Sequence, residues 1–170
     1  MGSNPIQSIG HLAAIQALIG ARRIGAAALD HIAQVARERF KVPASIVSLS
    51  DGSRLFFAGR SGVDIESTIL EGSLCRTTMF SDDVFVVEDT TLDSRFSDNS
   101  LVAGPPHVRF YAGAPIVLDS GEHVGAMCVL DVEPRSFNVG QRVVLKHMAL
   151  AAKAELERVC ASDASLIRPH

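Results

Sequence analysis

Several residue patterns that would announce a chemistry are missing from this chain. Its three cysteines, Cys75, Cys128 and Cys160, are odd in number, far apart in sequence and form no Cys-x-x-Cys pair. That argues against a disulfide framework or a zinc ribbon and fits a reducing compartment. The six histidines are scattered, and no His-x-x-x-His or His-Glu-x-x-His spacing puts two of them on one helix face. There is no Gly-x-Ser-x-Gly elbow. No glycine-rich loop opens a helix, because Gly121 and Gly125 bracket a hairpin instead. Basic residues do not cluster, and a net charge of -3 gives no electrostatic reason to bind nucleic acid or an anionic membrane. The most apolar early segment, HLAAIQALIGA, is too short to span a bilayer and runs into two arginines, and no secretory signal is apparent. The expectation is a soluble, cytoplasmic protein without metal, nucleic acid or membrane partners.

What is present is the composition of a globular domain: 170 residues, 47% hydrophobic and 21% charged. One domain over 1–170 is expected. Asn4, Pro5 and Gln7 read as the start of a helix reaching about Ile19. A second helix is expected over about 25–40, with Leu29, Ile32, Ala36 and Phe40 on one face. Pro43 stops it. ASIVSLS and RLFFAGR then form a hairpin across Asp51-Gly52. Residues 66–80 are ambiguous but more helical than not. VFVVED reads as a strand, VRFYAGAPIVL as a long strand, and DSGE turns the chain back into HVGAMCVLDV. A last helix starts at Asn138, with Gln141 completing a capping box. It runs to about Val159 with a stripe of Leu145, Met148, Ala152, Leu156 and Val159, before a frayed tail. Helices, two strands, helix, strand, loop, two strands, helix is an α+β order built on an antiparallel sheet.

Two stretches carry the functional question. Cys75, in GSLCRTT, is the one thiol with a case for reactivity, since Arg76 or a helix N-terminus would lower its pKa. The weightier reading is a small apolar residue packing a helix on the sheet. Cys128, in phase with Val124, Ala126 and Leu130, reads as core. The segment 89–107 is long for a connection inside a compact domain, and such loops are often lids or binding loops. Its carboxylates Asp89, Asp93 and Asp98 do not follow a calcium-loop pattern, and capping of turns is favoured over metal binding. Gly113, Ala114, Gly125 and Ala126 leave room above two adjoining strands, for a close helix or for a ligand.

The run SLCRTTMFSDDVFVVEDTTLDSRFSDNSLVAGPPHVRFYAGAPIVLDSGEHVGAMCVLDVEPRSF resembles the central block of bacterial GAF domains, especially those attached to histidine kinases and diguanylate cyclases. VEDTTLDSRFSDNSLVAGPPHVRFYAGAPI and GAMCVLDVEPR make the match specific, and it covers about 12–156, with 1–11 and 160–170 flanking. The resemblance implies a GAF/PAS-like fold: a central antiparallel sheet of five or six strands, terminal helices on one face, and short helices plus a long loop on the other. It also implies a pocket between the sheet and the 89–107 loop. Candidate pocket residues are Cys75, Arg95, Asn99, His107, Arg109 and Tyr111, unless these only hold the loop closed. His107, after two prolines, is placed either to titrate near neutral pH or to serve as a structural histidine. No Asn-Lys dipeptide of the cyclic-nucleotide signature is present, and no Cys precedes a His as in covalent bilin binders, so the cofactor is unknown with those two disfavoured. Where this subgroup often has Asp-Arg-Gln-Trp-Phe, the chain has Ser53-Arg54-Leu55-Phe56-Phe57. If the exchanged aromatic ring faces the pocket, a polar contact is lost. The implied role is a non-enzymatic sensory or regulatory domain in signal transduction, of the two-component type, homodimeric through its terminal helices and partnered with a kinase or cyclase output. The alternative is a thiol-dependent enzyme of the free methionine-R-sulfoxide reductase type.

Overall fold

The computed structural model of the chain describes residues 26–166, so the helix expected between Asn4 and Ile19 lies outside the described residues. The second expected helix is α1, Ala26–Phe40, which buries Leu29, Ala33, Ala36 and Phe40 at helical spacing. It ends at Lys41, which adopts φ 52, two residues before Pro43. Strands β1, Ala44–Ser50, and β2, Arg54–Ser61, follow as the expected hairpin. The turn is organised by Asp51, whose Oδ1 accepts from the amides of Ser53 and Arg54, both at 2.9 Å. Gly52 takes φ +100 between them.

Residues 66–80 differ from the helical expectation by half. Ser67–Ile69 form β3, an edge strand on β2, and only Leu74–Met79 are helical, as α2. Thr68 and Ile69 are β-branched, and Gly72 at φ +73 separates the two elements. Ser73 then caps α2, its hydroxyl accepting from the Arg76 amide at 3.1 Å. β4 is Phe85–Val87. The loop after it carries two single 3-10 turns, Thr90–Leu92 and Ser94–Phe96, and a one-turn helix α3, Ser100–Ala103. β5, Phe110–Val117, and β6, His123–Asp131, make the second expected hairpin. Helix α4, Val139–Leu166, opens on the expected capping box. Asn138 Oδ1 accepts from the Gln141 amide and Gln141 Oε1 from the Asn138 amide, both at 2.8 Å. It continues to Leu166, past the end expected near Val159.

The strands form one antiparallel sheet of six in the order β3-β2-β1-β6-β5-β4. Helices α1 and α4 cover one face, against Val47, Leu49, Phe110, Ala112, Met127 and Val129. Helix α2 and the 89–107 segment cover the other, against Ile46, Leu55, Tyr111, Cys128 and Leu130. Both faces are therefore buried, and neighbouring residues on β1, β5 and β6 belong to different cores. Val124 departs from the expected phase. The β5–β6 register shifts between Ile116 and Val117, which pair with Gly125 and His123, and the unmatched Val124 joins the α1/α4 core.

The α4 stripe is spent inside the protein: Leu145, Ala152 and Leu156 are fully buried against the sheet. Gly125 is small for the sake of the neighbouring strand, since a Cβ there would lie 1.9 Å from the Ser48 carbonyl oxygen. Gly140 in the first turn of α4 has no such constraint, its nearest neighbour lying at 3.4 Å. Gly125→Ala should therefore destabilise the fold by about 2–3 kcal/mol or more. Gly140→Ala should be neutral or stabilise by up to about 1 kcal/mol. Urea unfolding followed by circular dichroism gives both values, and equal costs for the two would refute the β1–β6 close approach.

Candidate ligand-binding site

Between β1, β2, α2 and the 89–107 segment lies a cavity of about 300 Å³, within the lower range of small-molecule sites. Its floor is apolar: Ile46 on β1, Leu55 and Phe57 on β2, and Leu130 on β6. Its rim is polar, formed by Thr68, Glu71, Ser73, Arg95, Asp98 and Asn99. A second cavity of about 320 Å³, more apolar, lies beside it under Pro105 and Pro106 and shares Ile46, Phe57, Leu101 and Leu130 with the first. Leu101, from α3, is thus a wall common to both.

Four of the six candidate residues meet at the first cavity: Cys75, Arg95, Asn99 and Tyr111. Asn99 works in two directions. Its Oδ1 accepts from the Leu101 amide at 2.9 Å and caps α3, while its Nδ2 donates to the Gly72 carbonyl at 2.9 Å across the cavity mouth. Arg95 forms a two-point pair with Asp93, through Nε at 2.9 Å and Nη2 at 2.7 Å. Its guanidinium also lies 5.3 Å from the centroids of both Phe85 and Phe96. The guanidinium holds the Asp93 carboxyl below the usual carboxylate range. Tyr111 is fully buried, its hydroxyl 2.7 Å from Thr78 Oγ1 on α2. Gly113 makes room for that pair, because a Cβ would meet the Tyr111 hydroxyl at 2.5 Å and Thr78 Oγ1 at 2.8 Å. At this position the small residue admits a helix.

His107 and Arg109 do not line the first cavity. His107 is exposed and turns the chain at φ 60 after the cis Pro105-Pro106 bond, donating its amide to Gly104 O at 2.8 Å. Arg109 Nη1 donates to the carbonyls of Val102, at 3.0 Å, and Val108, at 3.2 Å, bracing the end of α3. Two of the loop's three carboxylates, Asp89 and Asp93, serve its own turns, whereas Asp98 stands exposed on the cavity rim. Asp89 accepts from the Thr91 amide at 3.0 Å and hydroxyl at 2.6 Å, and Asp93 from the Arg95 amide at 3.1 Å. Phe56, which replaces the subgroup's tryptophan, packs on the α1/α4 side, so the loss of a polar contact falls elsewhere. It is Leu55, standing where the subgroup has glutamine, that faces the cavity. Sequence reasoning missed Leu55, Phe57, Thr68 and Ser73. The alternation of β2 is the signal that bears on Leu55 and Phe57, and alternation alone does not state which face meets the loop.

An antiparallel sheet with two long helices behind it and a capped loop over a small-molecule-sized cavity defines an α+β class of domain. The chain belongs to the GAF domain family, whose model matches residues 26–156. Over 128 residues it is 38% identical to the cyclic di-GMP phosphodiesterase PA2567 of Pseudomonas aeruginosa. That match covers 75% of this chain and only 22% of the length of that relative. Among solved structures, the GAF domain of an Acinetobacter phosphoenolpyruvate-protein phosphotransferase superposes with a TM-score of 0.66 at 15% identity, covering 95% of this chain and 99% of that one. The free methionine-R-sulfoxide reductase of Neisseria meningitidis, solved in complex with its substrate, gives 0.64 at 17% identity, over 80% and 78%. These structural likenesses establish the fold.

The two roles of Asn99 separate experimentally. Asn99→Ala removes the cap and the tie to Gly72 and should cost about 1–2 kcal/mol, with faster exchange of the Leu101 amide. Asn99→Asp keeps the acceptor and loses the donor, so the Leu101 amide should stay protected. Hydrogen exchange read by mass spectrometry distinguishes them, and equal exchange in the two variants would contradict the assignment.

Proposed function

We propose that this chain is a sensory or regulatory GAF domain that performs no chemistry itself and binds a small molecule between the sheet and the 89–107 cover. The observation that carries this reading is the cavity: an apolar floor, a polar rim, and a roof whose turns close on their own side chains. The rim sets Arg95, already paired with Asp93, beside the exposed acids Glu71 and Asp98. That balance favours a ligand with an apolar body and a neutral or cationic head over a free anion. The kinship with a cyclic di-GMP phosphodiesterase supports a second-messenger enzyme as the kind of output that such a domain regulates.

Native mass spectrometry of freshly purified protein tests occupancy directly. A bound small molecule lost in Arg95→Ala, whose side chain is 60% exposed, without loss of fold is the expected result. Arg109→Ala should instead loosen the fold, because its bonds hold the end of α3. No bound mass and no thermal shift across a metabolite panel would sink the ligand reading. The reductase alternative predicts thiol-dependent turnover of free methionine sulfoxide, and none is expected here.

The same reading includes a homodimer through the terminal helices. Its support is the outward side of α4, where Val139, Val143 and Leu150 are 76%, 47% and 57% exposed along one stripe. Val143→Lys combined with Leu150→Lys should convert a dimer to a folded monomer in light scattering. A monomeric wild-type chain, or a variant that remains dimeric, refutes it.

A further inference from the structure

Two thiols that the sequence separates meet inside the cover. Cys75, on α2, and Cys128, on β6, are 53 residues apart and their sulfurs stand 3.7 Å from one another, both buried. They are the point where the cover helix touches the centre of the sheet. From this geometry we infer that Cys75 and Cys128 are a modification site, a dithiol that a hydroperoxide converts to a disulfide fastening α2 to β6.

Three observations make this more than two apolar side chains in contact. The first is directness: the sulfurs face each other at the distance of an S–H···S contact, so a modest shift of α2 brings them to the roughly 2.05 Å of an S–S bond. A six-residue helix is the element able to make that shift, since the partner strand is held by β1 and β5 on either side.

The second is polarity. The Cys128 thiol, and then the Tyr111 and Ser48 hydroxyls, hold the Cys75 pKa below the usual thiol value against the opposing effect of burial. The bond to Cys75 and burial push Cys128 well up. Either sulfur can donate in this contact, and when Cys128 S–H donates the thiolate sits on Cys75. The third is access. Cys75 borders the 300 Å³ cavity and retains 8% exposure, whereas Cys128 retains none. A water-sized oxidant entering over the exposed rim residues Glu71 and Asp98 meets Cys75 first.

These place the two sulfurs in order. Cys75 gives up its proton, its thiolate attacks one oxygen of hydrogen peroxide, the O–O bond breaks, and the departing hydroxide takes that proton as the first water, leaving Cys75 as a sulfenic acid. Cys128 then gives up its proton, its sulfur attacks the Cys75 sulfur, the S–O bond breaks, and the departing hydroxide takes that proton as water. The sum is two thiols and one hydrogen peroxide giving one disulfide and two waters. A dithiol reductant reverses it by exchange. The result would reposition Ser73, Leu74 and Cys75, all of which line the cavity. The chemistry itself does not depend on any ligand being bound there.

The test uses the full chain, with its three cysteines. After treatment with hydrogen peroxide and removal of excess, thiol titration in denaturant should fall from three to one, reversed by dithiothreitol. The mass should drop by two hydrogens, and the proteolytic map should link the peptides of Cys75 and Cys128. Cys160→Ser should leave the cross-link intact. In Cys128→Ser the reaction should stop at Cys75 and be trapped there by dimedone, while Cys75→Ser should give no cross-link and no dimedone adduct at Cys128. Three thiols surviving peroxide, a link that includes Cys160, or adduct formation first at Cys128 would each overturn the inference. The wild-type readout requires no variant to fold, and its failure would leave ligand binding by the cavity untouched.

Discussion

The central strands of this domain are buried on both faces, and that double burial constrains everything around them. β1 and β6 pair along their length, and every second side chain of each must find an apolar partner above the sheet while its neighbours find one below. Two long helices supply one cover at little cost, because their backbone groups are satisfied internally. The other cover is mostly an irregular segment laid over an apolar surface, where unpaired amides and carbonyls are expensive. Its sequence answers that demand locally. Asp89, Asp93 and Asn99 each accept from an amide two residues ahead, and Thr90 ties the start of the segment to Val108 O at 2.7 Å. Asp89 and Asp93, two of the acids that make the run look fit for a metal, are thus turn caps.

A second seam holds the ends together. Asp131, at the close of β6, pairs with Arg135 at 2.7 Å and also accepts from the Val132 amide at 2.7 Å. Arg135 then donates to the carbonyls of Phe40, at 2.7 Å, and Lys41, at 3.1 Å, satisfying the C-terminal end of α1. Its guanidinium lies 5.7 Å from the Phe110 ring centroid. One side chain therefore joins β6, α1 and the core beneath it. The Asp-Val-Glu-Pro-Arg run that closes the GAF resemblance is structural, and its physical role is to fix the register between helix α1 and the sheet.

How much of this was legible in advance follows from where the information is stored. The Asp51-Gly52 hairpin, the Asn138/Gln141 box and the long β5–β6 hairpin rest on contacts within a few residues, and local sequence states them. The edge strand β3 was not legible, because three residues carry no period and their strand identity comes from pairing with β2. The cavity was only partly legible. Cys75, Arg95, Asn99 and Tyr111 converge, but Arg109, equally polar, turns its guanidinium onto loop carbonyls, and His107 stands exposed. Polar residues in a cover are alike in sequence whether they face a cavity or a carbonyl. The meeting of Cys75 and Cys128 depends wholly on α2 crossing β6, which no spacing reveals.

The same double burial supplies a route between the two faces. Ile46 and Leu130 line the cavity, while Val47 and Val129, their immediate neighbours on the same strands, pack in the core of α1 and α4. Protein interiors are packed too closely for one such residue to move without its neighbour responding. β1 and β6 are paired through this region, Ile46 with Cys128 and Ser45 with Val129, so the two strands respond as a unit. Ser45 and Ser48 reinforce the pairing, donating their hydroxyls to Cys128 O at 3.1 Å and Ala126 O at 3.2 Å. The packing under the cover and the packing of α4 thus share the same two strands, one thickness of sheet apart. The exposed side of that helix, with Val139, Val143 and Leu150, therefore lies one layer away from the cavity.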